Sequence, residues 1–278
     1  QSTIYKILIL ELNLNLKKLT LLKKIVARIN CDGLLNTVLA IILFPFTFRK
    51  RINQKKKIAN INLMLENDSL KKRFTYIYKK NFWQSQESRS GQGSEIYYTE
   101  RLRNWMIDVL PKYQIKRLTD APCGDFNWMK LVVPEIEIEY HGFDIVDSII
   151  ESNNTLYKSD KVRFGLANIC EDKLSNCDLL MVRDFLFHLS YKDINKFLEN
   201  IVNIDYKYLL TTTYIVEKHF VNKNIKSADF RIIDLFKEPF NFDSKKVINR
   251  VDDFPFDEPF QREMILIAKS DVPKSIKY

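Results

Sequence analysis

Two acidic strand ends and one polar cluster carry the residues with usable chemistry. The first is "RLTDAPCGDFNWMK", residues 117–130, where Asp120 closes an apolar run and a proline, a cysteine, a glycine and a second aspartate follow at once. The second is "IEIEYHGFDIV", whose Asp144 lies 24 residues beyond Asp120. A glycine in a tight turn lets the backbone approach a ligand, and a carboxylate at the next strand tip can accept both hydroxyls of a ribose. The third is "MVRDFLFHLS", in which Arg183, Asp184 and His188 follow strongly apolar residues, so their polar groups must find partners or solvent. Histidine has the intrinsic pKa of a base near neutrality, and an aspartate beside it can take a proton or orient an acceptor.

These residues are positioned by alternating elements. From residue 100 onward "ERLRNWMIDVL" predicts a helix stopped by Pro111, "IKRLTDAP" a strand, and the stretch with Trp128, Met129 and Leu131 to Val133 a helix stopped by Pro134. "IEIEYHGFDIV", "VRFGLANI", "CDLLMVRDFLF" and "KYLLTTTY" predict further strands, with helices over "SIIESNNTLY" and "YKDINKFLENIVNI". Strands alternating with helices imply a mostly parallel sheet covered on both faces. "KKVINRVDD" and "REMILIAKS" follow each other without a helix, as an antiparallel pair closing the sheet does.

The N-terminal part differs in kind. Residues 1–80 hold 17 Lys and Arg against 4 Asp and Glu, and the remainder 27 against 31, so the net +9 comes from one end and the body carries −4. A slightly acidic body is a poor trap for a phosphate backbone, which argues against nucleic acid as its partner. The apolar run Leu34 to Phe48, followed by the basic cluster to Lys57, is short for a membrane span. Helix packing and contact of residues 34–57 with a membrane surface both stand as readings. Leucines at 8, 10, 12, 14 and 16 alternate as in a strand, whereas "LTLLKKIVARI" suits a helix. "KKRFTYIYKKNF" places Phe74, Ile77 and Tyr78 on one helical face. Four cysteines without a CxxC pair suit reduced thiols, and with no cleavable signal pattern a cytoplasmic protein, peripheral at the membrane if the 34–57 reading holds. No metal site is expected.

The segments "SGQGS", "DAPCGDFNWM", "GFDIV", "RDFLFHLS", "TTTY" and "FRIIDLFKEPFNF" together resemble class I S-adenosylmethionine-dependent methyltransferases, and more narrowly bacterial ones found with surface-polysaccharide and glycosyltransferase genes. The resemblance covers residues from about 83 to 269, leaving 1–82 as a basic extension and 83–278 as the methyltransferase domain. The family usually carries three glycines in the first turn, and here only Gly124 remains. The GxGxxG of dinucleotide-binding dehydrogenases is absent.

The resemblance implies a Rossmann-like α/β fold with a mostly parallel seven-stranded sheet and an antiparallel C-terminal strand. It implies S-adenosylmethionine as cofactor, held by Asp120, Ala121, Pro122, Cys123 and Gly124 of the first turn. Asp125 is read as a partner of the methionyl ammonium or as a helix N-cap. Asp144 would bind the ribose and Ile145 pack on adenine, with Asn168 and Ile169 at the adenine edge or in a strand-end turn. Trp128 either shields the cofactor or belongs to the core. Ser90, Gly91, Gly93 and Ser94, with Thr99 nearby, either fold over the cofactor carboxylate or form a free loop. Arg183 is read as a cofactor contact or anchor, His188 as base or structural residue, and Asp184 as base or acceptor contact. Tyr214, His219, Arg231 and Asp234 are candidates for the acceptor, Arg231 for a phosphate or carboxylate. The implied reaction is methyl transfer to O or N of a small polar acceptor, a sugar, sugar nucleotide or glycan intermediate. The alternatives are an RNA methyltransferase using the basic segment and a membrane-associated scaffold without turnover.

Overall fold

Seven short apolar segments pair into one sheet in the computed structural model, which describes residues 68–255 and 261–278. The strands are β1 (Arg117–Asp120), β2 (Glu139–Asp144), β3 (Val162–Leu166), β4 (Leu179–Val182), β5 (Tyr208–Tyr214), β6 (Val247–Asp252) and β7 (Arg262–Ala268), in the order β3-β2-β1-β4-β5-β7-β6. The first five are mutually parallel, and β7 runs antiparallel to β5 and β6, so six strands share one direction. This is the mixed sheet the resemblance implied, closed by the antiparallel β6–β7 pair with β6 at the edge. Strand order reverses between β1 and β4, which opens a crevice beyond their carboxyl ends.

Side-chain alternation divides the core between the two faces of the sheet. Leu180, Val182, Leu209, Ile265 and Ile267 point to one cluster, and Leu179, Met181, Leu210, Met264 and Leu266 to the other. Helix α4 (Tyr191–Ile201) covers the first face with Ile194, Phe197, Leu198 and Ile201, and its cap Ser190 accepts from the Asp193 amide. Helix α2 (Glu100–Val109) covers the second with Leu102 and Met106, one turn apart. Helix α3 (Asp147–Tyr157) follows β2.

Helix α1 (Leu70–Lys79) begins at Ser69, whose hydroxyl accepts from the Lys72 amide. Its Ile77 is buried, Phe74 stacks at 6.1 Å on Phe185, and Arg73 donates to the carbonyl of Ser227 at 3.0 Å. The expectations for residues 7–57, including the apolar run, the basic cluster and Cys31, lie outside the described residues. Among the described residues no helix is long and apolar enough to cross a membrane, and Cys123, Cys170 and Cys177 are free thiols.

One element departs from its expectation. No α-helix follows β1; only single turns over Met129–Leu131 and Val133–Glu135 form. Gly124 and Phe126 both take positive φ, +55° and +57°, and Pro134 cannot supply an amide hydrogen. The apolar side chains read as a helical face instead fold inward as a loop, with the Phe126 ring tilted against Tyr140 at 5.0 Å and edge-on to Phe164 at 5.1 Å.

Candidate functional site

The tips of β1, β2 and β4 converge on a cleft that opens to solvent. Asp120, Pro122, Cys123 and Gly124 come from the turn after β1, Asp144 and Ile145 from the end of β2, and Arg183, Asp184 and His188 from the segment after β4. Ser90, Ser94 and Trp128 also line it. The three sequence stretches are therefore brought to one place.

Asp144 is the best-held carboxylate of the group. Its Oδ2 accepts from the Gly124 amide at 3.1 Å and its Oδ1 from the Val146 amide at 3.0 Å, so both oxygens are oriented while each retains a lone pair. Burial raises its pKa to about 6, against the opposing pull of those amides. Asp120 accepts a 2.7 Å bond from Tyr140 Oη, and burial raises it to about 7. Burial also pushes the Cys123 thiol far up, with Asp144 and Asp120 adding to it, so this thiol is inert.

A loop straps the turn from the other side. Ser88 Oγ donates to both oxygens of Asp125, the Arg89 amide donates to Asp125 Oδ2 at 3.0 Å, and the Asp125 amide donates to Ser90 Oγ at 3.0 Å. Asp125 thus fastens residues 88–90 and does not line the cleft, and with no helix behind it there is nothing to N-cap. Nor is the loop free: Arg183 Nη2 donates to the Gly93 carbonyl at 2.7 Å, and Asn127 Nδ2 to that of Ser94 at 3.0 Å. Gly124 is a close approach to this loop, since a Cβ there would collide with Ser90 Oγ. Thr99 is buried and bonds the carbonyls of Glu95 and Ile96.

Behind the cleft lies a four-membered ionic cluster. Arg183 holds Asp253 through Nε and Nη2, both at 2.9 Å, and Arg262 holds Asp253 at 3.3 Å and Asp184 at 3.0 Å. The Arg183 guanidinium also lies over the Trp128 ring at 5.2 Å, which places Trp128 in the wall rather than in the core alone. Asp184 sits at φ +53°, uncommon for a residue with a side chain, with its amide bonded to Thr212 Oγ1 at 2.9 Å. Its carboxylate is taken up by two guanidiniums, which suits an orienting group better than a base.

His188 has a defined tautomer. Nδ1 lies 2.7 Å from the Asp229 carbonyl, which can only accept, so Nδ1 carries the hydrogen and Nε2 keeps its lone pair. Burial among Trp83, Phe187 and Phe230 lowers the pKa of the imidazole.

Other expectations fall elsewhere. Ala121 and Ile169 are core residues, and Gly91 packs on Trp83 outside the lining. Asn168 forms a strand-end turn, its Oδ1 accepting from the Cys170 amide, and borders a neighbouring polar hollow instead. Tyr214 is buried against Phe187, and His219 is exposed. Arg231 is buried over Tyr191 at 5.2 Å, and Asp234 Oδ1 accepts from the Phe236 amide. None of the four lines the cleft.

The sequence did not announce Phe74, Tyr78, Trp83 or Phe185 as lining residues. Helical periodicity marked the Phe74 and Tyr78 face as covered, and only the fold tells what it covers. Asp253 and Arg262 carried no signal, because they meet Arg183 and Asp184 across 70 and 78 residues.

No family model matches the chain, and no curated protein matches it. Solved structures do. PigF, a structure with SAH, aligns with TM-score 0.53 at 9% identity over 86% of this chain and 75% of its own. Human N-acetylserotonin methyltransferase in complex with SAM gives 0.49 at 11% identity over 80% and 68%, and magnesium protoporphyrin IX methyltransferase from Synechocystis PCC 6803 with bound SAH gives 0.48 at 8% over 68% and 92%. At such identities the likeness bears on the fold alone, and the PigF alignment carries it. With its strand order, its antiparallel β7 and its cleft at the switch point, the chain has the Rossmann-like fold of the class I methyltransferases.

Proposed function

We propose that the chain transfers a methyl group from S-adenosylmethionine to an oxygen or nitrogen of a small polar acceptor, with a sugar or glycan intermediate as the class the family resemblance implies. The single observation that carries this is Asp144: a buried carboxylate at the tip of β2, locked by the Gly124 and Val146 amides, with lone pairs left on both oxygens for a pair of ribose hydroxyls. The surroundings fit the rest of such a ligand. Ile145, Val146 and Ile149 offer an apolar surface beside Asp144, and Ser90 and Ser94 offer hydroxyls beside Gly124. Asp120, Asp144 and Asp184 give the lining a surplus of carboxylates, which favours a cation.

Bound there, S-adenosylmethionine supplies a methyl carbon on a positively charged sulfur that leaves as a neutral thioether. The residues of the chain then have to position and deprotonate the acceptor. His188 Nε2 is the group we assign to that proton, since Nδ1 is committed to Asp229 and the ring is neutral near pH 7. Asp184, held by Arg183 and Arg262, orients the segment that carries His188.

Titration calorimetry of the full chain with S-adenosylhomocysteine tests the reading. Binding is expected, weakened about tenfold or more by Asp144→Ala, because each lost hydrogen bond to a charged group is worth about 1.5–3 kcal/mol. Unchanged affinity in the variant would remove the ribose assignment.

A further inference from the structure

Among the described residues the wall around His188 is aromatic and carries no cation beyond the already bonded Arg183, and this narrows the acceptor. Phe74 and Tyr78 from α1, Trp83 from the segment beyond it and Phe185 after β4 line the cleft together with His188. The Trp83 and His188 rings have centroids 5.6 Å apart, tilted by 40°. Trp83 is fixed from behind by Gly91, whose φ of +106° suits glycine and whose added Cβ would lie 3.3 Å from Trp83 Cβ. Phe230, 45% exposed, lies 5.9 Å from the same imidazole.

Charge points the same way. Among the described residues that line the cleft, the one permanent cation is Arg183, and its Nε and Nη2 are spent on Asp253 and the Gly93 carbonyl. Arg89 stacks on the Tyr78 ring at 5.8 Å and is not part of the lining. Arg231, the guanidinium best suited by residue type to a phosphate, is buried over Tyr191. Among the described residues, a phosphorylated acceptor would therefore bring its negative charge toward Asp120, Asp144 and Asp184 with no lining guanidinium or ammonium beyond the already bonded Arg183 to meet it.

Resting on the methyl-transfer reading, we propose that the acceptor is an uncharged ring compound that lays one flat apolar face on Trp83 and directs a ring hydroxyl to His188 Nε2. Phosphorylated and nucleotide-linked sugars are not its substrates. The hydroxyl oxygen bonds to the methyl carbon as the carbon–sulfur bond breaks, the electron pair stays on sulfur, and the hydroxyl proton passes to His188. Two sources share this chemistry: the C–H face of a free glycoside and the face of a phenol.

The test incubates the full chain with methyl-labelled S-adenosylmethionine and three sets at equal concentration, read by mass: alkyl glycosides, simple phenols, and nucleoside diphosphate sugars with sugar phosphates. Transfer to one of the uncharged sets is expected, at least tenfold above the charged set, and which set reacts identifies the source. Trp83→Leu should raise the acceptor KM about tenfold, well beyond any change in the S-adenosylhomocysteine Kd, while Trp83→Phe, which keeps an aromatic face, should recover most of the loss and separates the lost face from a folding defect. Preferred transfer to the charged set, no transfer to any uncharged ring, or an unaltered KM in Trp83→Leu overturns the proposal while cofactor binding persists. A parent chain that fails to bind S-adenosylhomocysteine overturns the methyl-transfer reading itself, and this inference with it.

Discussion

The amide of Gly124 donates to Asp144 Oδ2 at 3.1 Å, so the turn after β1 and the tip of β2 form one unit. The same carboxylate accepts from Val146 through its other oxygen. Asp144→Asn replaces one acceptor by an NH₂ group that must face one of these two amides. Chemical denaturation should show a loss of about 1–3 kcal/mol, the cost of a buried donor left without an acceptor. A variant as stable as the parent would mean that the carboxylate does not hold the turn.

Gly124→Ala should be costly for two separate reasons. Its φ of +55° is strained for alanine, and its new Cβ would collide with Ser90 Oγ, the acceptor for the Asp125 amide. A loss of about 2–3 kcal/mol is expected, from about 1–2 for the backbone and about 1 for the hydrogen bond. Adding Ser90→Gly should relieve the collision and leave the backbone strain. Thermal melts of the two single variants and the double variant measure the coupling, and strict additivity contradicts the contact.

Asp120 gives a pH signature with a definite sign. Its carboxyl in the folded chain titrates near 7, above the unfolded value of 3.8, so the folded state binds the extra proton. Its contribution to stability is full below pH 4 and is lost as pH rises through about 7. His188, whose pKa burial lowers, acts in the opposite direction as pH falls below its ordinary 6.5. Comparison with Asp120→Asn removes that background. The variant should exceed the parent in stability at pH 8, and the gap should close as pH falls toward 5. A gap independent of pH contradicts the burial of an ionisable Asp120.

Asp253 is fully buried and holds both Arg183 and Arg262. Asp253→Ala leaves two buried guanidiniums short of a counter-charge, for which about 3–5 kcal/mol is the usual loss. Denaturant midpoints check it, and a loss below about 1 kcal/mol would show that water reaches the pair.

The strands were legible because each is a short apolar run ended by a polar residue, and the two strand-tip acids mark the cleft directly. What lay hidden depended on partners distant in the chain. Asp125 has the composition of a cofactor ligand or cap, yet Ser88 and Arg89, 37 and 36 residues earlier, occupy its oxygens. The helix expected at Trp128 fails because the positive φ of Gly124 and Phe126 belongs to the folded turn, not to local propensity. Arg231 looked like an anion ligand by residue type, and only the packing over Tyr191 withdraws it from the cleft. Trp83 and Tyr78 precede the stretch with recognisable motifs, so their place in the wall needed the tertiary structure.

His188→Gln should lower kcat by about 10²–10⁴, the usual worth of a positioned base, and leave cofactor affinity intact. In the parent, burial holds the imidazole below its ordinary pKa of 6.5, so kcat should stay on its plateau down to that pH and decline only below it. The decline should vanish in the variant. An unaltered kcat or an identical pH profile removes His188 as the base.

A crystal structure of the full chain grown with S-adenosylhomocysteine tests the central claim most directly. The ribose hydroxyls should stand within hydrogen-bond distance of the two Asp144 oxygens, with the sulfur facing His188 and Trp83. Density for the nucleoside at any other place, with the crevice between Gly124 and Asp144 filled by something else, would contradict the account.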